Sequence, residues 1–202
     1  MPNLDLPNGY YELPPGKLAN IATYLEMKAL PERKLIAFAP DLSLIPVADM
    51  SISDYRQHFK AVGENLLWFS RLLMPDEKLQ SVLANPAIES CVYQRGDQML
   101  GLLELNFEDK ANCELAFFGL VPDALGSGLG RMLMDEAIRR AFAKSIERLW
   151  LHTCTLDHPA ALPFYLRSGF TPYARMVEIH DDPRLQGKLP LTAATQVPLL
   201  LI

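Results

Sequence analysis

Residues 126–131 read Gly-Ser-Gly-Leu-Gly-Arg, so three glycines alternate over five positions. They stand between the apolar run LAFFGLV and the run MLMDEAIRRAF, which has helical spacing. A helix N-terminus presents unsatisfied N–H groups and about half a positive charge, which suits it to anions. Glycines in front of it let a phosphate approach the backbone, because no Cβ intervenes. The chemistry suggested is the holding of a phosphorylated ligand by main-chain amides from Gly126 through Ser127, Gly128, Leu129 and Gly130 to Arg131. Two other phosphate loops are excluded by spacing. A P-loop requires Lys and then Ser or Thr after its last glycine, whereas Arg131 and Met132 follow here. A dinucleotide fingerprint would need glycine at 131 or 133, where Arg131 and Leu133 stand. A nicotinamide-dependent oxidoreductase is thereby disfavoured.

The elements that must position this loop are readable in outline. LANIATYLEM and LSLIPVA read as strands. Ser51 or Ser53 caps a helix through DYRQHFKAV that Gly63 ends. ENLLWFSRLL and PDEKLQSVLA read as further helical pieces. IESCVYQ and QMLGLLELNF, joined by Arg95-Gly96-Asp97, form a hairpin. CELAFFGLV is almost continuously apolar, the pattern of a strand buried on both faces. After the glycine loop, apolar pairs at 133/134, 137/138 and 141/142 give a helix with one buried face. ERLWLHTCTL is a strand. Asp157 or His158 caps PAALPFYLRS, which Gly169 terminates, although Pro163 disfavours a straight helix there. FTPYARMVEI is the last strand. The order predicts a single α/β (α+β) domain over residues 1–202.

Composition narrows the partners. A formal net charge of -5 and no Lys/Arg cluster argue against nucleic acid and against a membrane surface. The N-terminus lacks the pattern of a signal peptide, and no apolar run reaches the length of a membrane span. The three cysteines Cys91, Cys113 and Cys154 have neither framework nor zinc spacing and read as buried thiols of a cytoplasmic protein. His152 and Cys154 share one face of a strand, but no oxyanion loop or orienting residue accompanies them, so they read as core. Trp68 also reads as core.

The strand–PD–xxGxGxG–helix segment, followed by a strand and DHPAALPFYLRSGF, resembles the GCN5-related N-acetyltransferases (GNAT superfamily). Gly128 and Gly130 match the glycines of the family's Gln/Arg-x-x-Gly-x-Gly/Ala signature. Ala161, Tyr165 and Gly169-Phe170 match its later Asn-x-x-Ala-x-x-x-Tyr helix and the Gly-Phe that ends it. Leu125 departs from the usual Gln or Arg, and His158 from the usual Asn. The resemblance covers residues 42–179, leaving 1–41 as an N-terminal extension and 180–202 as a tail. It implies a mixed, mostly antiparallel sheet flanked by helices, with acetyl-CoA as co-substrate and no metal. It further implies transfer of an acetyl group to a primary amine of a small molecule or protein, in a chain that could pair as a homodimer.

A primary amine is mostly ammonium at neutral pH, so a base must remove a proton before attack. By resemblance that base is Glu114, eleven residues before Leu125; Glu104, in the preceding strand, is the other candidate. The resemblance makes the Leu120 N–H the donor to the developing oxyanion and Tyr165 the acid for the leaving thiolate. It adds Val121 and His158 to the loop residues that contact acetyl-CoA. A non-catalytic acyl-CoA-binding module of the same fold is the alternative, since Leu125 brings no polar side chain.

Overall fold

A computed structural model describes residues 7–200. Seven strands form one sheet in the order β2-β3-β4-β5-β6-β1-β7. They are β1 (Lys17–Met27), β2 (Leu42–Pro46), β3 (Ile88–Arg95), β4 (Gln98–Asn106), β5 (Asn112–Leu120), β6 (Arg148–Cys154) and β7 (Thr171–Asp181). Every neighbouring pair is antiparallel except β5–β6. The segment preceding residue 42 is thus part of the sheet: β1 lies between β6 and β7 and pairs with both.

One face carries α4 (Leu129–Phe142) and α5 (Ala161–Ser168). The apolar pairs of α4 bury Leu133, Met134, Ala137, Ile138 and Ala141 in a core shared with Leu103, Leu105, Leu115, Leu149 and Leu151. The other face carries α1 (Ile52–Gly63), α2 (Ser70–Leu73) and α3 (Asp76–Leu83). There Tyr55, Phe59, Val62 and Leu79 pack on Val92 and Leu102. Ser51 caps α1, its side chain accepting from the Asp54 amide at 3.1 Å.

α5 begins differently from the sequence reading. Its N-cap is Ala160, with no side-chain cap. His158 Nδ1 accepts from the Ala160 amide at 3.1 Å, just before the helix. Asp157 closes the turn after β6, accepting from Thr153 Oγ1 at 2.8 Å and the Cys154 amide at 2.9 Å. Pro163 is the third helical residue. First-turn amides have no intrahelical acceptor, so proline breaks no helical bond there.

Candidate active site

The site begins where the parallel pair parts. β5 and β6 are in register only from Asn112↔Arg148 to Glu114↔Trp150, and beyond that the two strands diverge. Which backbone groups line the gap follows from the β4–β5 ladder. The Val121 amide donates to Leu100 O at 2.9 Å, so these two residues are a hydrogen-bonded pair. Such pairs alternate along an antiparallel ladder. Gly101↔Leu120 and Leu103↔Phe118 are therefore the pairs without mutual bonds. The N–H groups of Leu120 and Phe118 thus point away from β4, into the gap. Val121, whose N–H is already bonded, does not offer its amide.

The same gap corrects the expectation that β5 is buried on both faces. Only Cys113 and Leu115 are buried in it, and residues 116–120 are half-buried, because β6 no longer covers them. A bulge then sets which way β5 presents its side chains. Glu104 pairs with Phe117 and Leu105 with Leu115, leaving Ala116 as the extra residue. Glu114 consequently shares the face of Phe117, which packs with the α1–α3 core, whereas Phe118 packs with the α4–α5 core. In an unbroken alternation Glu114 and Phe117, three residues apart, would sit on opposite faces.

Glu114 lines a cleft of about 390 Å³ on that face, beside Tyr24, Asn106 and Trp150. Burial pushes its carboxyl above the usual range; His152 and Arg71 oppose the rise and Glu104 adds to it. Glu104 is 1% exposed and forms an ion pair with Arg71 of α2. Arg71 also lies over the Phe117 ring, 5.1 Å from its centroid. Of the two carboxylates, Glu114 opens on the cleft without a paired cation, and Glu104 is enclosed with one.

Tyr165 of α5 stands on the opposite face, 8% exposed and packed edge-on against Phe118, Phe164 and Phe170. Burial, and secondarily Asp157, raises its phenol, so the hydroxyl holds its proton. Asp157 also accepts from Trp68 Nε1 at 3.4 Å. Trp68 packs on Phe59 and Phe117, and this bond ties the α1–α2 connection to the end of β6. Gly119 is required at this contact, since a Cβ there would lie 2.5 Å from Val62 Cγ1 and 3.0 Å from Trp68 Cη2.

Beyond β5 the chain turns through Pro122–Ala124 into the glycine loop. Gly126 and Gly128 have φ of 73° and 82°, values that favour glycine, and a Cβ at either would meet nothing within 4 Å. Gly128 is the N-cap of α4, without a side-chain cap bond. Ser127 Oγ is turned back to Ala124 O at 2.6 Å. The Leu129 amide donates to Ser127 Oγ at 3.5 Å and the Arg131 amide to Gly128 O at 3.1 Å, and the open space at the glycines fits a pyrophosphate. Leu125 is exposed at 48%, beside the loop. Arg131 pairs with Asp135 at 3.3 Å, and Arg33 from the segment after β1 pairs with it at 2.5 Å. Asp135 is fully buried, which alone would raise its carboxyl, but Arg33 and the Ile36 amide hold it below the usual range. Arg33 carries no sequence signal near the loop; only the docking of residues 33–36 on α4 brings it there.

Two residues read as core are not. His152 is exposed and packs on Tyr24, with ring centroids 5.2 Å apart and the planes tilted by 31°, on the face of Glu114. Cys154 is half-buried, and burial together with Asp157 pushes its thiol up to about 11, so it carries no ready thiolate. The Phe118 amide was also missed. It is four residues from Glu114 and belongs to the residue that touches Tyr165, but only the ladder register reveals its direction. Among the described residues no group of three or more His, Cys, Asp or Glu side chains could hold a metal ion, and no helix is long and apolar enough to cross a membrane.

Residues 54–170, more than half of the chain, match the family described as Acetyltransferase (GNAT) family. A mycothiol acetyltransferase of Beutenbergia cavernae is 34% identical over 91 residues, which are 45% of this chain and 30% of that protein. The chain therefore spans less than a third of that relative's length. A GCN5-related N-acetyltransferase from Sphaerobacter thermophilus superposes with a TM-score of 0.60 at 13% identity, covering 81% of this chain and 52% of that one. A GNAT-family acetyltransferase structure from Novosphingobium aromaticivorans gives 0.54 at 13% identity, covering 85% and 70%. At such identities the likeness shows the fold.

Proposed function

The chain belongs to the GNAT acetyltransferase family, and from that premise we propose that it transfers the acetyl group of acetyl-CoA to a primary amine by direct attack. One observation carries this reading: two unbonded backbone amides and one desolvated carboxylate converge on the place where β5 and β6 part.

Acetyl-CoA supplies the thioester. Amides of the glycine loop and the first turn of α4 hold its pyrophosphate, with Arg131 alongside. The Phe118 and Leu120 N–H groups donate to acyl and amide oxygens in the gap, and a donor aimed at a developing oxyanion contributes roughly 3 kcal/mol. Glu114 takes a proton from the acceptor's ammonium on one face. Tyr165 gives a proton to the departing sulfur on the other, so base and acid flank the gap from opposite sides. Glu104 balances Arg71 and supports the face on which Glu114 stands. His158 shapes the turn into α5. The free cysteines suit a reducing, cytoplasmic setting.

The test is release of free CoA thiol from acetyl-CoA against a panel of primary amines, with acetylated products resolved by mass. Amine-dependent release that Glu114→Gln suppresses is expected. Tight acetyl-CoA binding with no release against any amine would replace this reading with an acyl-CoA-binding module.

A further inference from the structure

The Glu114 cleft has aromatic walls and unbalanced negative charge. Tyr24 and Trp150 stack with centroids 6.1 Å apart, and Tyr173 closes edge-on against Tyr24, also at 6.1 Å. Glu108 and Asp109, at the β4–β5 turn, form the rim. The one cation in the lining, Arg148, is engaged by Glu26 at 3.3 Å and by Asn112 Oδ1 at 2.9 Å. Among the described residues Glu108, Asp109 and Glu114 take part in no ion pair, and Lys110 of the same turn is exposed and outside the lining. Glu104, enclosed beside Arg71 and outside the lining, adds its charge from below, close enough to raise the Glu114 carboxyl.

We propose that the acceptor is a linear diamine, bound with its reacting amine at Glu114 and its second ammonium at the Glu108–Asp109 rim. This rests on the amine-transfer reading above. Asp109 Oδ2 accepts from Asn112 Nδ2 at 2.9 Å. Asn112 precedes Glu114 by two residues on the same face, so the two charge sites are separated by about one two-residue strand rise, ~7 Å. A diamine with a short methylene chain spans that distance. Its apolar stem lies along the Tyr24 and Trp150 rings, and its distal ammonium meets ring faces as well as carboxylates.

The experiment compares cadaverine with n-pentylamine, which has the same chain and lacks the second ammonium. Wild-type enzyme with saturating acetyl-CoA is expected to favour cadaverine by about tenfold in kcat/KM, carried by KM. Raising salt should shrink the ratio, as screening weakens a rim contact. In the Glu108→Gln/Asp109→Asn double variant, whose amides each keep one of the two acceptor oxygens that the turn uses, the ratio should fall to about one. Equal use of the two amines by wild-type enzyme overturns the diamine assignment and leaves amine transfer standing. Acetylation of neither also overturns the diamine assignment, and amine transfer then falls only if no amine of the wider panel releases CoA.

Discussion

The two sides of the β5–β6 gap are made of different material. Toward α4 the lining is main chain: the Phe118 and Leu120 amides, Gly126 and Gly128 at positive φ, and an uncapped helix start. Toward Glu114 it is side chain, with β1, β4, β5, β6 and β7 each supplying lining residues. A surface of bare amides suits a ligand that never changes. A surface of side chains can be rebuilt by substitution without disturbing the loop. In the proposed function one side fixes the activated acyl donor, and the other selects who receives the group.

This contrast can be broken most violently on the main-chain side. Gly128→Asp places a Cβ at φ 82° and a carboxylate where phosphate would sit. Calorimetry should find acetyl-CoA binding abolished. The fold should persist with a loss of about 1–2 kcal/mol, the cost of a left-handed residue bearing a side chain. Unchanged affinity would remove the loop from the cofactor site.

Next in size is the pair of carboxylates. Glu114→Gln should lower turnover by about 10²–10⁴-fold, with partial recovery at high pH as free amine accumulates. Burial raises the Glu114 carboxyl in the folded protein, so the base is lost as pH falls through a value above the ordinary glutamate range. The linkage has the matching sign. A raised folded pKa favours the fold below the unfolded pKa and is a penalty once pH rises past the folded one. Glu114→Gln should therefore keep or slightly raise the thermal midpoint at neutral pH. Glu104→Gln should do the reverse. It leaves Arg71 buried without its counter-charge, costing about 3 kcal/mol and roughly 6–12 °C in midpoint. If Glu104→Gln abolishes turnover at full stability, the roles are exchanged.

A smaller effect is expected at Tyr165. Among the described residues its hydroxyl makes no hydrogen bond, so Tyr165→Phe should fold normally and bind acetyl-CoA as before. Its turnover should fall about 10²-fold, less than for a poorer leaving group, since a thiol has a pKa near ~8.5. Equal single-turnover rates in the two proteins would return Tyr165 to a packing role.

What was legible in the sequence divides along the same line. The loop could be read because backbone at positive φ selects glycine, a choice visible in the letters. The α1 cap at Ser51, the β3–β4 hairpin and the apolar face of α4 were readable for equally local reasons. The insertion of β1 between β6 and β7 was not, because partner choice is a long-range matter that a strand's own alternation does not encode. Nor was the bulge at Ala116, on which the facing of Glu114 depends. His152 looked like core because it alternates within an apolar strand, yet it is exposed. Arg71 escaped notice because its partner Glu104 lies 33 residues away in the chain.

Amide hydrogen exchange in β5, read residue by residue with and without acetyl-CoA, tests most directly whether the parted strands receive the cofactor. Free protein should show faster exchange at Phe118 and Leu120 than at Phe117 and Gly119, whose amides are bonded to β4. Saturating acetyl-CoA should slow Phe118 and Leu120 selectively. Exchange at those two amides that is unmoved by bound acetyl-CoA would contradict the account.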